Sequence, residues 1–192
     1  MKVQIIIGST RPGRQTDKLA NWVAKRASTI AGLEIETIDL KDYDLPLFNE
    51  AGSPQYTPDR NPKGVVKEWL DKLAEADGYI LVSPEYNRST SAVLKNAIDY
   101  IAYEWDKKPV TIVAHGSTGG AQAIGNLRNI IPAALGLSLP KVVYFNHRVG
   151  EVINETGELN EDIRSNPWGP ETALKALLEE LKWYLEALKD KS

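Results

Sequence analysis

Apolar positions along the chain change rhythm repeatedly between strand and helix. Val3, Ile5, Ile6 and Ile7 form a near-continuous apolar run, as a strand buried on both faces of a parallel sheet requires. Residues 17–31 carry Leu19, Val23, Ala27 and Ile30 at helical spacing, and residues 33–40 alternate apolar with polar as an edge strand does. Residues 41–61, rich in Pro, Gly, Asp and Asn, read as a long loop. Asn61-Pro62 offers an N-cap and first-turn pair for a second helix, with Val65, Val66, Trp69, Leu70 and Leu73 on one face. A third strand over 78–83 leads to a helix from about 91 to 102 that turns Val93, Leu94, Ala97, Ile98 and Ile101 inward. A fourth strand over 110–114, a glycine-rich turn, a helix over about 121–135 and a fifth strand over 142–145 follow. Residues 146–168 read as a polar loop. A last helix over 170–189 carries Leu174, Leu177, Leu178, Leu181, Leu185 and Leu188.

Strand and helix alternate five times, which predicts an α/β fold: a parallel sheet with helices on both faces, a three-layer α/β/α arrangement. For five parallel strands the expected order is 2-1-3-4-5, the flavodoxin-like order, with its switch point between strands 1 and 3. A ligand is then expected at the carboxyl ends of strands 1, 3 and 4. At 192 residues the chain fits one domain spanning 1–192, large enough to bury a core without staples. A net charge of −3 does not favour nonspecific nucleic-acid binding, and the absence of cysteine excludes disulfides, thiolate metal sites and cysteine nucleophiles. No apolar run reaches membrane-spanning length and residues 3–7 are too short for a signal peptide, so a cytoplasmic protein without membrane contact is expected.

The three loops at those strand ends are the ones with unusual residues. After strand 1, Gly8-Ser9-Thr10-Arg11 and Arg14-Gln15-Thr16 bring hydroxyls and guanidinium groups to a helix start, with Thr16 as the expected N-cap. Such donors suit a phosphate ester. Gly8-x4-Gly13 half-matches a nucleotide-hydrolase P-loop, but Arg14 and Gln15 stand where its Lys and Ser/Thr belong, and strand 3 ends without a metal-holding Asp. The dinucleotide pattern G-x-G-x-x-G fails at Thr10. After strand 3, Pro84-Glu85-Tyr86-Asn87 offers a stiff entry, an aromatic plate and an amide, which suit a flat heteroaromatic ring. Glu85 reads either as a general acid or base or as a partner for an arginine. Ser89 and Ser91 are the N-cap candidates for the helix that follows. After strand 4, Gly116-Ser117-Thr118-Gly119-Gly120 lets backbone N–H groups approach a ring closely. The reading that stays open for each loop alone is a plain turn or helix entry.

With Gly8-Ser9-Thr10-Arg11, Pro84-Glu85-Tyr86-Asn87 followed by Leu94-Lys95-Asn96-Ala97-Ile98-Asp99, and the 116–120 glycine loop, the chain resembles the NADPH-dependent FMN reductase family over roughly residues 1–145. The resemblance implies a flavodoxin-like FMN-binding domain that takes hydride from NADPH or NADH and passes it to a small-molecule acceptor: a quinone, an azo dye, a metal ion or free flavin. It implies that Ser9, Arg11, Arg14 and Thr16 hold the FMN phosphate. Pro84, Glu85, Tyr86 and Asn87 would line the isoalloxazine, and Ser117, Gly119 and Gly120 would touch its other edge. It also implies homodimers, extending to tetramers, whose interface completes the pocket. The aromatics Trp69, Tyr100, Tyr103 and Trp105 are candidates for that interface or for the core. Arg14, Thr16, Arg88, Thr90 and Ser91 depart from the residues many members carry.

A flavin supplies its own redox chemistry, so no catalytic side chain is expected. That accords with only two histidines, His115 and His147, and no Ser-His-Asp constellation. His115, beside the expected site, reads as a satisfied loop residue. The competing readings are an electron carrier without NAD(P)H turnover and a phosphate- or nucleotide-binding regulator on the same fold.

Overall fold

The computed structural model describes residues 1–189. Its strands are β1 (Lys2–Ile7), β2 (Glu34–Asp39), β3 (Gly78–Pro84), β4 (Pro109–His115), β5 (Leu137–Ser138) and β6 (Val143–Phe145). Its helices are α1 (Thr16–Ala27), α2 (Gly64–Ala74), α3 (Ala92–Asp99), α4 (Ala121–Ala133), α5 (Val149–Val152), α6 (Glu161–Arg164) and α7 (Pro170–Leu188). All strand pairs are parallel in the order β2-β1-β3-β4-β5, with β6 also paired to β4.

The expected fifth strand is one interrupted edge. Leu137–Ser138 pairs with the start of β4 and Val143–Phe145 with its end. Pro140 lies in the gap, and proline has no N–H to give a ladder. Thr111 Oγ1 bridges the gap by donating to Lys141 O at 2.8 Å.

Strand periodicity divides the core between the faces. Val3, Ile5, Ile7, Ile80, Val82 and Val113 pack with α1 and α7. Ile6, Tyr79, Leu81, Val110, Ile112 and Ala114 pack with α2, α3 and α4. Burial on both faces is why β1, β3 and β4 read as apolar runs. The single polar residue inside β1, Gln4, is fully buried, and its amide donates to Lys72 O at 2.7 Å and to Glu36 Oε2 at 3.0 Å.

Several boundaries differ from expectation. Helix α2 opens at Gly64, not at Asn61-Pro62, because the chain turns through a left-handed residue there (φ 55°). Helix α3 ends at Asp99, and Val93 is partly exposed while Leu94, Ala97 and Ile98 face the sheet. The 146–168 segment is more ordered than a loop. It carries α5, α6 and a bridge between Ile153 and Leu159. Ion pairs fasten it to α1: Lys18 to Glu155, and both Lys25 and Arg26 to Glu158. Glu171 at the start of α7 accepts from Arg26 and from the buried Trp22 Nε1 at 2.9 Å. Of the four interface aromatics, Trp69, Tyr100 and Trp105 are core residues, and Tyr103 is exposed. Among the described residues no helix is long and apolar enough to cross a membrane.

Candidate functional site

The register aligns Ile7 with Val82 and Pro84 with His115, so the loops after β1, β3 and β4 leave the sheet side by side at its carboxyl edge. Gly8 continues the ladder, its N–H donating to Val82 O at 2.8 Å. A Cβ there would lie 2.8 Å from Leu94 Cδ2 and 2.9 Å from Val82 O, so only glycine lets the loop leave so close to α3. Ser91 caps α3, accepting from Leu94 N, and donates to Gly8 O. Of the two cap candidates it is the one used.

Side-chain hydrogen bonds brace the three loops against one another in pairs. Ser9 Oγ and Tyr86 OH are 2.9 Å apart and join the first loop to the second. Thr16 Oγ1 and His115 Nε2, also 2.9 Å apart, join the first to the third. Glu85 joins the second to the third, its carboxylate accepting from Thr118 Oγ1 at 3.1 Å and from Gln122 N at 2.9 Å. The Glu85 N–H also donates to His115 O at 2.8 Å. Gly116 makes that approach feasible, since a Cβ there would sit 2.9 Å from Glu85 Cβ.

Each expected residue has a defined place. Thr16 is not the N-cap of α1. It is the first helical residue, fully buried and turned to His115, while Gln15 occupies the cap without a side-chain bond. The N–H groups of Thr16 and Asp17 at the start of α1 therefore keep no acceptor among the described residues, while that of Lys18 donates to Asp17 Oδ1 at 2.9 Å; the helix start carries the positive end of the helix dipole. Arg11 is exposed, its guanidinium 5.3 Å from the centre of the Tyr86 ring. Arg14 spends its guanidinium on both Asp39 carboxylate oxygens and on Ser9 O, so it fastens the first loop to the end of β2. Asp39 raises the Arg14 pKa further.

Pro84 ends β3. Asn87 and Arg88 form a tight turn at φ 48° and 67°, with Tyr86 and Ser89 exchanging both backbone bonds; positive φ at both central residues marks a type I′ turn. Thr90 and Ser91 face inward, Thr90 sharing a 2.8 Å hydroxyl bond with buried Ser83. Ser117 is exposed, and Gly119 and Gly120 have φ of 68° and 77°. Gly120 is the N-cap of α4 and has no side chain to cap with, so Glu85 caps that helix from the neighbouring loop. The N–H groups of Ser117, Thr118 and Gly120 make no hydrogen bond among the described residues. His115 has its pKa lowered to about 4, first by burial and then by Arg11, so the ring is neutral at physiological pH.

Asp39, Thr118 and Gln122 escaped the sequence reading. Thr118 lay inside a quoted motif, and Asp39 closes β2 beside the switch point; their partners become visible only in three dimensions. Beside the first loop opens a cavity of about 340 Å³ lined by Thr10, Tyr43, Leu45, Leu47, Val93 and Asn96, among others. The arrangement offers hydrogen-bond donors for an anionic group, an aromatic plate, a backbone N–H cradle and an adjoining largely apolar recess.

Residues 1–150 match the family model described as NADPH-dependent FMN reductase. An NAD(P)H-dependent FMN reductase of Schizosaccharomyces pombe is 32% identical over 184 residues, covering 86% of this chain and 92% of that protein. An NADPH azoreductase of a Bacillus species is 29% identical over 193 residues, covering 99% and 96%. In structure, a flavoenzyme NAD(P)H:(acceptor) oxidoreductase from Paracoccus denitrificans superposes with a TM-score of 0.73 at 23% identity, covering 97% of each chain.

Proposed function

The chain belongs to the NADPH-dependent FMN reductase family and is an FMN-dependent NAD(P)H oxidoreductase; from this we propose that its acceptor is a flat aromatic molecule, a quinone or an azo compound. The observation that carries the reading is the adjoining recess of about 340 Å³, whose exposed lining is mostly apolar, with Leu40, Leu45, Leu47, Val93 and the single aromatic Tyr43. A relative is named an NADPH azoreductase, which accords with it.

The residues present fit FMN by their donor set: N–H groups without acceptors at Thr16 and Asp17 and in the 116–120 turn, with Gly8, Gly116 and Gly120 where a Cβ would collide with neighbouring protein atoms and push the loops apart. In this reading Ser9, Arg11 and Thr16 hold the phosphate, and Arg14 keeps their loop in place through Asp39. Pro84, Glu85, Tyr86 and Asn87 flank the ring, with Glu85 serving chiefly as the clamp to α4. Ser117, Gly119 and Gly120 meet the pyrimidine edge, where N–H donors favour negative charge. FMN, when bound, supplies the two-electron chemistry, taking hydride from NAD(P)H and giving it to the acceptor. The protein's part is to bind, orient and exclude water. The chain acts as a single FMN-binding domain in the cytoplasm and as a homodimer whose contact includes exposed Leu47, Val93 and Tyr103.

The test is to load the purified protein with FMN, desalt it, and follow NADPH and NADH oxidation with a quinone, an azo dye, a ferric chelate and free FMN. Steady turnover fastest with the first two supports the reading. Turnover confined to the chelate or to free FMN refutes the acceptor assignment, and a monomeric mass by light scattering refutes the dimer.

A further inference from the structure

We propose that His115 is a positioning residue for the phosphate subsite: its Nε2–H donates to Thr16 Oγ1 and so turns the Thr16 hydroxyl proton toward the start of α1. The inference rests on the FMN reading above and adds to it a role for a residue that lies on a different loop from the phosphate.

Thr16 is the first residue of α1 and is fully buried, yet its hydroxyl does none of the usual work of a threonine at a helix start. It caps no backbone N–H. Its hydrogen-bond partner is His115 Nε2 at 2.9 Å, from the end of β4. A hydroxyl has one proton to give. If Thr16 gives it to the imidazole, only oxygen lone pairs remain for the loop, and these repel a phosphate oxygen. If the imidazole gives its own proton to Thr16, the hydroxyl proton is free to point the same way as the N–H groups of Thr16 and Asp17, which have no acceptor among the described residues. An anion at that turn therefore selects the second arrangement.

A neutral imidazole has one N–H to place, so the choice between arrangements is a choice of tautomer. Burial and the Arg11 charge keep the ring neutral at physiological pH, which makes that choice real. Arg14 does not compete for the phosphate, because Asp39 holds its guanidinium. By linkage, whatever favours the Nε2–H tautomer favours the phosphate by the same factor.

The experiment compares FMN with riboflavin, which lacks the phosphate, on the full-length apoprotein by flavin-fluorescence quenching. Losing a hydrogen bond to a charged group should weaken FMN about tenfold or more in His115→Phe and in Thr16→Val, with riboflavin unchanged. The double variant should be no worse than either single one. His115→Gln and Thr16→Ser, which keep a donor and a hydroxyl, should recover most of the loss. Independently, imidazole nitrogen shifts in the unmutated protein should move to the Nε2–H pattern for His115 on adding FMN but not riboflavin, with His147, the other histidine, as the internal control. Equal loss of both flavins in the variants, or an Nδ1–H pattern in the FMN complex, overturns the proposal. Unmutated protein that takes up neither flavin overturns the cofactor reading itself, and this proposal with it.

Discussion

Gly120→Ala and Gly13→Ala form a matched pair that isolates one physical effect. Both glycines are left-handed, at φ 77° and 67°. An alanine at either position therefore incurs a similar conformational penalty of about 1–2 kcal/mol. The surroundings differ. A Cβ on Gly13 meets nothing within 4 Å. A Cβ on Gly120 would lie 2.5 Å from Ala114 Cβ, 2.7 Å from Ala114 C and 2.8 Å from His115 N. Two of those atoms are backbone of β4, which lies between β3 and the β5/β6 edge and cannot swing aside as a side chain would. Forcing a methyl group into such a place costs about a further 1–3 kcal/mol. The expected losses are then about 1–2 kcal/mol at position 13 and about 2–5 kcal/mol at position 120. In a chain of this size each kcal/mol moves Tm by about 2–4 °C. The check is urea unfolding of both variants, read as a shift in midpoint at unchanged m-value. Flavin affinity measured alongside should fall more for Gly120→Ala, because the turn and the start of α4 must move together. Equal losses in the two variants would refute the reasoning, since they would mean that the glycine turn is not held against β4.

Glu85→Ala should cost about 1 kcal/mol in urea unfolding as α4 loses its cap, and Glu85→Gln less, because the amide oxygen still accepts from Gln122 N. Glu171→Ala leaves the buried Trp22 Nε1 without its acceptor and should cost about 1–3 kcal/mol, while Glu171→Gln, which keeps an oxygen there, should cost less. Acid should destabilise the protein in two windows. His115 has a folded pKa of about 4 against an ordinary 6.5, so its contribution is full above 6.5 and is lost as pH falls toward 4; His115→Gln should flatten that slope. Hydrogen bonds from Lys25 and then Arg26 hold Glu158 at about 2 against an ordinary 4.5, so its contribution is present above 4.5 and is lost as pH falls toward 2; Glu158→Gln should flatten only this lower limb.

The fold was legible because its physics is periodic. Helices cover both faces of the sheet, so β1, β3 and β4 are near-continuous apolar runs, broken inside only by buried Gln4, Ser83 and Thr111. The amphipathic stripes of α1, α2, α4 and α7 were legible for the complementary reason: each rests one face on the sheet. The errors fall where tertiary geometry overrides local chemistry. Asn61-Pro62 is a sound helix opening in isolation, but Gly64 takes the left-handed turn that decides where α2 begins. Val142 has the right chemistry for the last strand, yet β6 opens one residue later and the same edge carries Leu137–Ser138, with Pro140 between. Val93 shares the apolar character of Leu94 but sits one step around α3, where it faces the recess beside Thr10 and not the sheet.

The site divides along a different line. Which loops carry it follows from topology alone, since a switch point between β1 and β3 must gather the carboxyl ends of β1, β3 and β4. What each polar residue does there does not follow, because a side chain with two eligible partners is assigned by distance, and the partners lie far apart in sequence. Arg14 had the chemistry of a phosphate ligand and is held by Asp39; Glu85 had the chemistry of an acid or base and caps α4; Thr16 had the chemistry of a cap and meets His115. In each case the residue also ties two elements together. The consequence is physical: a loop whose Arg14 is already held by Asp39 keeps its backbone N–H groups and few free hydroxyls in fixed directions, so an anion docking there would order little. Preorganisation of that kind rests on pairs of residues, one on each loop, and a linear reading of one loop at a time meets only half of every pair.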